Sequence, residues 1–200
     1  GTPSGGGTPP AKPVSNDGSF SIEASRVVAA SGWPDLVAER ERSREHRAEG
    51  LMLKRLDSPY GVGRPRGPWW KWKVSPFTVD AVLVYAQRGH GRRASLYTDY
   101  TFAVWKDGEL VPFAKAYSGL TDAEIREVDR FVRRHTLEKF GPVRHVEPRL
   151  VMELAFENIR RSGRHKSGLA VRFPRIVRWR HDKTPDQADS LETIRGLLPE

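Results

Sequence analysis

The chain of 200 residues has no cysteine, which excludes disulfides and a thiolate zinc site. Its 6 histidines include no pair at convincing ligand spacing, so no histidine-built metal centre is expected. No apolar run approaches the roughly 20 residues that a spanning helix needs, and no charged-then-apolar signal segment opens the chain. The expectation is a cytoplasmic monomer with no membrane partner. Acids are also scarce: 25 Asp and Glu stand against 34 Lys and Arg, a net charge of +9. The excess is uneven, with nine basic residues and two acids in 54–93, and nine basic residues and one acid in 160–183. Clustered positive charge of this kind meets polyanions, above all nucleic acid. The alternative is a merely solvated basic surface.

What remains suffices to fold. Hydrophobic residues make up 38% and aromatics 10%, enough for a packed core in one domain or two small ones. The first ten residues are all Gly, Pro, Ser or Thr, and 1–19 reads as a flexible linker or a vector-derived remnant. Phe20 to Ala30 suits a strand or loop. Trp33 to Ala48 reads as a helix, with Pro34 in its first turn and a thin apolar face of Trp33, Leu36 and Val37. Strands are expected at Leu51–Leu53, Trp69–Val74, Asp80–Gln87, Ser95–Trp105 and Leu110–Tyr117. Asp107-Gly108 marks a hairpin turn between the last two.

A helix follows. Thr121 and Glu124 form a capping box ahead of an apolar stripe of Ile125, Val128, Phe131 and Val132, and the helix is expected to stop before Gly141-Pro142. Strands Leu150–Phe156 and Leu169–Arg180 come next, then a short helix within Ala188–Leu198. The fold class is therefore mainly β with helices (α+β). Three strands, a helix and two strands is the order of a five-stranded OB barrel over 76–200. Residues 20–75 belong to a separate, preceding unit.

Three clusters could carry chemistry. In Glu49-Gly50-Leu51-Met52-Leu53-Lys54, alternation sends Glu49, Leu51 and Leu53 one way and Gly50, Met52 and Lys54 the other; taken alone, the pattern is weak and a plain core strand explains it better. In Trp69-Trp70-Lys71-Trp72-Lys73, Lys71 and Lys73 share one face and Trp70 and Trp72 the other. Two neighbouring ammonium groups repel, and an anion such as phosphate between them relieves this. The alternative is an amphipathic edge strand with solvated lysines. The third runs from Arg172-Phe173-Pro174-Arg175 to Arg180-His181-Asp182-Lys183, five basic side chains in twelve residues. Pro174 cannot donate to a ladder, so this strand lies at an edge or is bulged there. Two glycine-bearing loops, with Arg64 and Arg66 and with Arg92 and Arg93, can approach a phosphate backbone closely.

Together, in this order and spacing, these clusters resemble the ATP-dependent DNA ligases of the covalent nucleotidyltransferase superfamily. The resemblance covers about residues 33–198. It includes Asp57-Ser58-Pro59-Tyr60 and Gly89-His90-Gly91-Arg92-Arg93, and looks most like the bacterial repair type. It implies the end of an adenylation domain followed by an OB domain, with ATP and Mg²⁺ as cofactors and nicked double-stranded DNA as partner. The family reaction passes AMP from ATP to a lysine, then to the 5′-phosphate at a nick, and the 3′-OH displaces it. By this resemblance Glu49 would help hold Mg²⁺. Lys71 and Lys73 would grip the AMP phosphate, with Lys54 and Arg175 as further nucleotide contacts. Arg180, Asp182 and Lys183 would orient the departing pyrophosphate. Arg64, Arg66, Arg92, Arg93, Arg172 and Arg178 would bind DNA.

One departure has consequences. The family's nucleophile lies in a Lys-x-Asp-Gly motif, and this sequence has none; Lys106-Asp107-Gly108 lacks the intervening residue. The expectation is a C-terminal half that cannot self-adenylate and needs an upstream adenylation half carrying the lysine. A non-catalytic OB module that clamps nucleic acid, or an RNA-directed relative, remains open at this point.

Overall fold

In the computed structural model the described residues are 14–16, 20–22, 25, 27–63 and 66–198. Strand β1 (Val14–Asn16) pairs antiparallel with β2 (Phe20–Ile22). Helix α1 covers Trp33–Glu41, with a Pro in its first turn, and Asp35 accepts from the Ser31 hydroxyl and amide. The helix is shorter than expected. It buries no residue, so nothing repays a longer run of charged side chains. The chain tightens into a 3-10 turn at Arg42–Arg44, and Arg47 takes a φ of 54°.

Strands β3 (Gly50–Lys54) and β4 (Trp69–Lys73) form an antiparallel pair that sets Gly50 opposite Lys73 and Met52 opposite Lys71. Gly50 has no substitute here. Its φ is 135°, and a Cβ would stand 2.3 Å from the Trp72 carbonyl oxygen. Alternation holds in β3: Leu51 and Leu53 are half-buried while Met52 and Lys54 are exposed.

The rest builds one curled sheet and a separate two-stranded hairpin. Strands β5 (Phe77–Arg88), β6 (Tyr97–Lys106) and β7 (Glu109–Ala116) form a meander; the turn at Asp107 (φ 50°) and Gly108 (φ 82°) has the two positive φ angles of a tight hairpin. Helix α2 (Asp122–Arg134) starts on the expected capping box: the Thr121 hydroxyl accepts from the Glu124 amide, and the Glu124 carboxylate accepts from the Thr121 amide. Its buried stripe is Ile125, Val128 and Val132, joined by Asp129, which accepts from the Tyr97 amide. Helix α2 ends at Arg134 rather than at Gly141-Pro142. Strands β8 (Thr136–Phe140) and β9 (Val143–Val146) instead form a hairpin around that turn, because β9 finds a partner in the second half of β5.

Strand β10 (Val151–Phe156) pairs with the first half of β5. Strands β11 (Asn158–Arg161) and β12 (Leu169–Arg172) form a separate hairpin, and β13 (Arg175–Trp179) pairs with β10. The expected single strand from Leu169 to Arg180 is thus two. Phe173 adopts a φ of 51° and Pro174 offers no amide, so the ladder breaks there.

The sheet order is β13-β10-β5-β6-β7. It curls into a half-barrel with α2 between its third and fourth strands in sequence, the order of an OB fold. Its two edges approach where the Ile176 amide donates to the Ser118 carbonyl at 2.9 Å. Gly119 makes room for this (φ 116°), since a Cβ would lie 1.7 Å from the Ile176 carbonyl oxygen. Leu83, Phe102, Val104, Leu154 and Phe156 fill the inside, and Leu191 and Ile194 of the terminal helix α3 (Leu191–Arg195) are buried with them. Among the described residues no helix is long and apolar enough to cross a membrane.

Candidate functional site

Strand β4 ends where the barrel begins, and its last lysine, Lys73, meets a barrel residue there. The Lys73 ammonium lies 3.6 Å from Glu49 and 3.3 Å from Glu157, just past β10. Arg172 holds the other Glu49 oxygen at 2.5 Å, and Arg175 holds Glu157 at 3.1 Å. Glu157 is buried; a buried carboxylate is tolerable only when paired, and here two cations share it. Arg40 donates to the Lys73 carbonyl, and Arg44 to the Ser75 and Glu157 carbonyls while stacking on Phe77 at 3.5 Å. Burial lowers the pKa of Arg44, and the Glu157 charge opposes that shift. Glu49, Lys73, Arg172 and Arg175, expected on three separate motifs, therefore form one cluster.

Lys71 lies two residues along the same face of β4, exposed and without an ion pair among the described residues. Lys54 instead covers the Trp69 ring at 4.3 Å. The two indoles on the opposite face differ in burial. Trp72 packs edge-on against Trp33 at 5.9 Å, but Trp70 is 51% exposed.

Arg180, Asp182 and Lys183 form a second group. Arg180 reaches both Asp80 oxygens at 3.0 and 2.7 Å and also Asp182 at 2.7 Å, and Lys183 meets Asp80 at 2.6 Å. Hydrogen bonds with Asp182, reinforced by the Asp80 charge, raise the Arg180 pKa, and the same bonds hold the Asp182 carboxyl far below the usual carboxylate range. Arg175 opens β13 and Arg180 lies just past its end, about 16 Å away along an extended chain. The two groups are separate in this arrangement.

Several expected DNA contacts are engaged internally. Arg93 pairs with Asp122 at 2.9 Å, Arg178 with Glu153 at 2.5 Å, and Arg172 with Glu49. Arg66 and Arg92 are exposed, and Arg64 lies outside the described residues. Sequence reasoning missed Asp80 and Glu157. Both were detectable as lone acids bordering apolar runs, where a carboxylate needs a cationic partner.

The cluster of Lys73, Arg172 and Arg175, with Lys71 two residues along the same strand, has the chemistry to hold phosphate: ammonium and guanidinium donors. The same residues do not fit Mg²⁺. Both Glu49 oxygens face cations, and among the described residues no group of three or more His, Cys, Asp or Glu could hold a metal ion.

Residues 93–183 match the family model described as the ATP dependent DNA ligase C terminal region. That segment is a DNA ligase C-terminal region. A probable DNA ligase of Koribacter versatilis (strain Ellin345) is 49% identical over 155 residues, covering 78% of this chain and 27% of that relative. A probable DNA ligase of Opitutus terrae is 44% identical over 174 residues, 86% of this chain and 17% of its own length. The chain thus spans about a quarter or less of these ligases. The crystal structure of the ligase domain from M. tuberculosis LigD shares the fold, with a TM-score of 0.50 at 21% identity over 76% of this chain and 50% of that one.

Proposed function

We propose that this chain is the C-terminal part of a ligase that seals nicks in duplex DNA, made of the end of an adenylation domain (20–75) and an OB domain (76–200). An upstream half carrying the nucleophile lysine completes it. The observation that carries this reading is the meeting of Lys73 and Glu49 with Glu157, Arg172 and Arg175 at the junction of β4 and the barrel. A non-specific clamp needs no such convergence of buried acid and shared cations, whereas phosphoryl transfer depends on positioned positive charge.

ATP supplies the adenylyl group. Lys71 and Lys73 hold its phosphate, with Lys73 exchanging its carboxylate partners for phosphate oxygens. Arg175 steadies Glu157 beside them. Arg180 and Lys183, held by Asp80 and Asp182, reach the leaving phosphates when the barrel swings towards the nucleotide. The lysine that attacks ATP is not in this chain, so the chain alone takes no covalent adenylate.

Complementation tests the reading. This chain mixed with a separate adenylation half restores sealing of a labelled nicked duplex, and Lys71→Ala or Lys73→Ala lowers the restored rate by about 10² or more, as loss of a preorganised charge does. Sealing that survives Lys71→Ala, Lys73→Ala and Lys183→Ala together would reduce the chain to a non-catalytic nucleic-acid clamp.

A further inference from the structure

Free positive charge does not lie where the arginines between 172 and 180 suggest. Arg172, Arg175, Arg178 and Arg180 each hold a carboxylate of this same chain. Arg160, Arg161, Arg164 and Lys166 differ. All four are exposed and have no carboxylate partner among the described residues. They fall within seven consecutive residues, and no acid occurs between 158 and 181.

These cations sit on a built frame. The β11–β12 ladder runs from the pair Asn158 and Arg172 to the pair Arg161 and Leu169. Ile159 and Leu169 anchor it in the core. The turn is closed by the Ser162 amide donating to the Gly168 carbonyl at 2.8 Å and the Gly168 amide donating to the His165 carbonyl at 2.9 Å. Ser167 is buried at 1% exposure, and its hydroxyl bonds the Leu169 backbone. Four like charges on a rigid hairpin repel one another, and an external row of anions removes that repulsion. Little ordering entropy is lost when such a frame engages a polymer.

We propose that the β11–β12 hairpin, through Arg160, Arg161, Arg164 and Lys166, is this chain's main grip on the phosphodiester backbone of duplex DNA. The choice of DNA as the polyanion rests on the nick-sealing reading above. In the same assignment Arg178 is a structural residue of the barrel edge, spent on Glu153.

The test uses the full chain and a fluorescent nicked duplex, with affinity measured across a salt series. Each phosphate neutralised adds about 0.9 to the slope of log affinity against log salt. The variant R160Q/R161Q/R164Q/K166Q lowers that slope by about 3 to 4. The pair R164Q/K166Q, confined to the turn, lowers it by about 2. Arg178→Gln leaves it unchanged. All four positions are exposed, so the variants keep the parent melting temperature. A hairpin variant with the parent slope, or an Arg178→Gln slope reduced as far as the hairpin's, overturns the assignment and leaves the ligase reading standing. Failure of the parent chain to bind nicked duplex at any salt sinks both.

Discussion

Asp80 is the buried carboxylate on which the end of β13 depends, and removing it is the sharpest test of how this barrel is held together. It is 7% exposed, and it receives Arg180 through two hydrogen bonds and Lys183 through one at 2.6 Å. Its backbone is tied as well: the Asp80 amide donates to the Asp189 carboxylate at 2.7 Å, and the Asp189 amide returns a bond to the Asp80 carbonyl at 2.9 Å. Asp80→Ala leaves two cations without this partner, although Arg180 keeps Asp182. Stripping one member from a fully buried ion pair costs 3–5 kcal/mol, and the partial exposure of Lys183 (29%) places this site at the lower end, about 3 kcal/mol. For a chain of this size that corresponds to a fall of about 6–12 °C in Tm. Urea unfolding followed by tryptophan fluorescence reads it, and Asp182→Asn is the control, since Asp182 is largely exposed and should cost far less. A loss under about 1 kcal/mol for Asp80→Ala would refute the view that this carboxylate anchors the strand.

Two further outcomes follow from the same packing. Gly119→Ala should weaken closure of the half-barrel by about 2 kcal/mol or more, because it combines a φ of 116° with a Cβ driven into the Ile176 carbonyl; faster hydrogen exchange at the Ile176 amide, which bonds Ser118, would report it. Thr121→Ala should cost about 1 kcal/mol at neutral pH through loss of the α2 cap. Hydrogen bonds from the Thr121 hydroxyl and amide hold the Glu124 carboxyl below its ordinary value of 4.5, so the cap's stabilisation is whole above that pH and fades as pH falls through the lower, folded value. The variant's deficit, measured by denaturation at neutral and acid pH, should therefore shrink on acidification.

Local chemistry alone carried much of this protein. The capping box at Thr121, the turn at Asp107-Gly108, the alternation in β3 and the break at Pro174 all depend on residues within a few positions of one another, and short-range sterics and hydrogen bonding decide them. The order of the motifs also carried the family resemblance, which the match over residues 93–183 supports. Tertiary structure decided the rest. Helix α2 stops at Arg134 because β9 has a distant strand to join, a fact absent from the local pattern around Gly141. The roles of the arginines were equally hidden. Arg180 and Asp80 are 100 positions apart, and Lys73 and Glu157 more than eighty. Spacing along the chain counts charges but cannot say which are neutralised, since a cation's partner is set by proximity in space; only the folded barrel separates the arginines it has already paired from those left free to meet a phosphate.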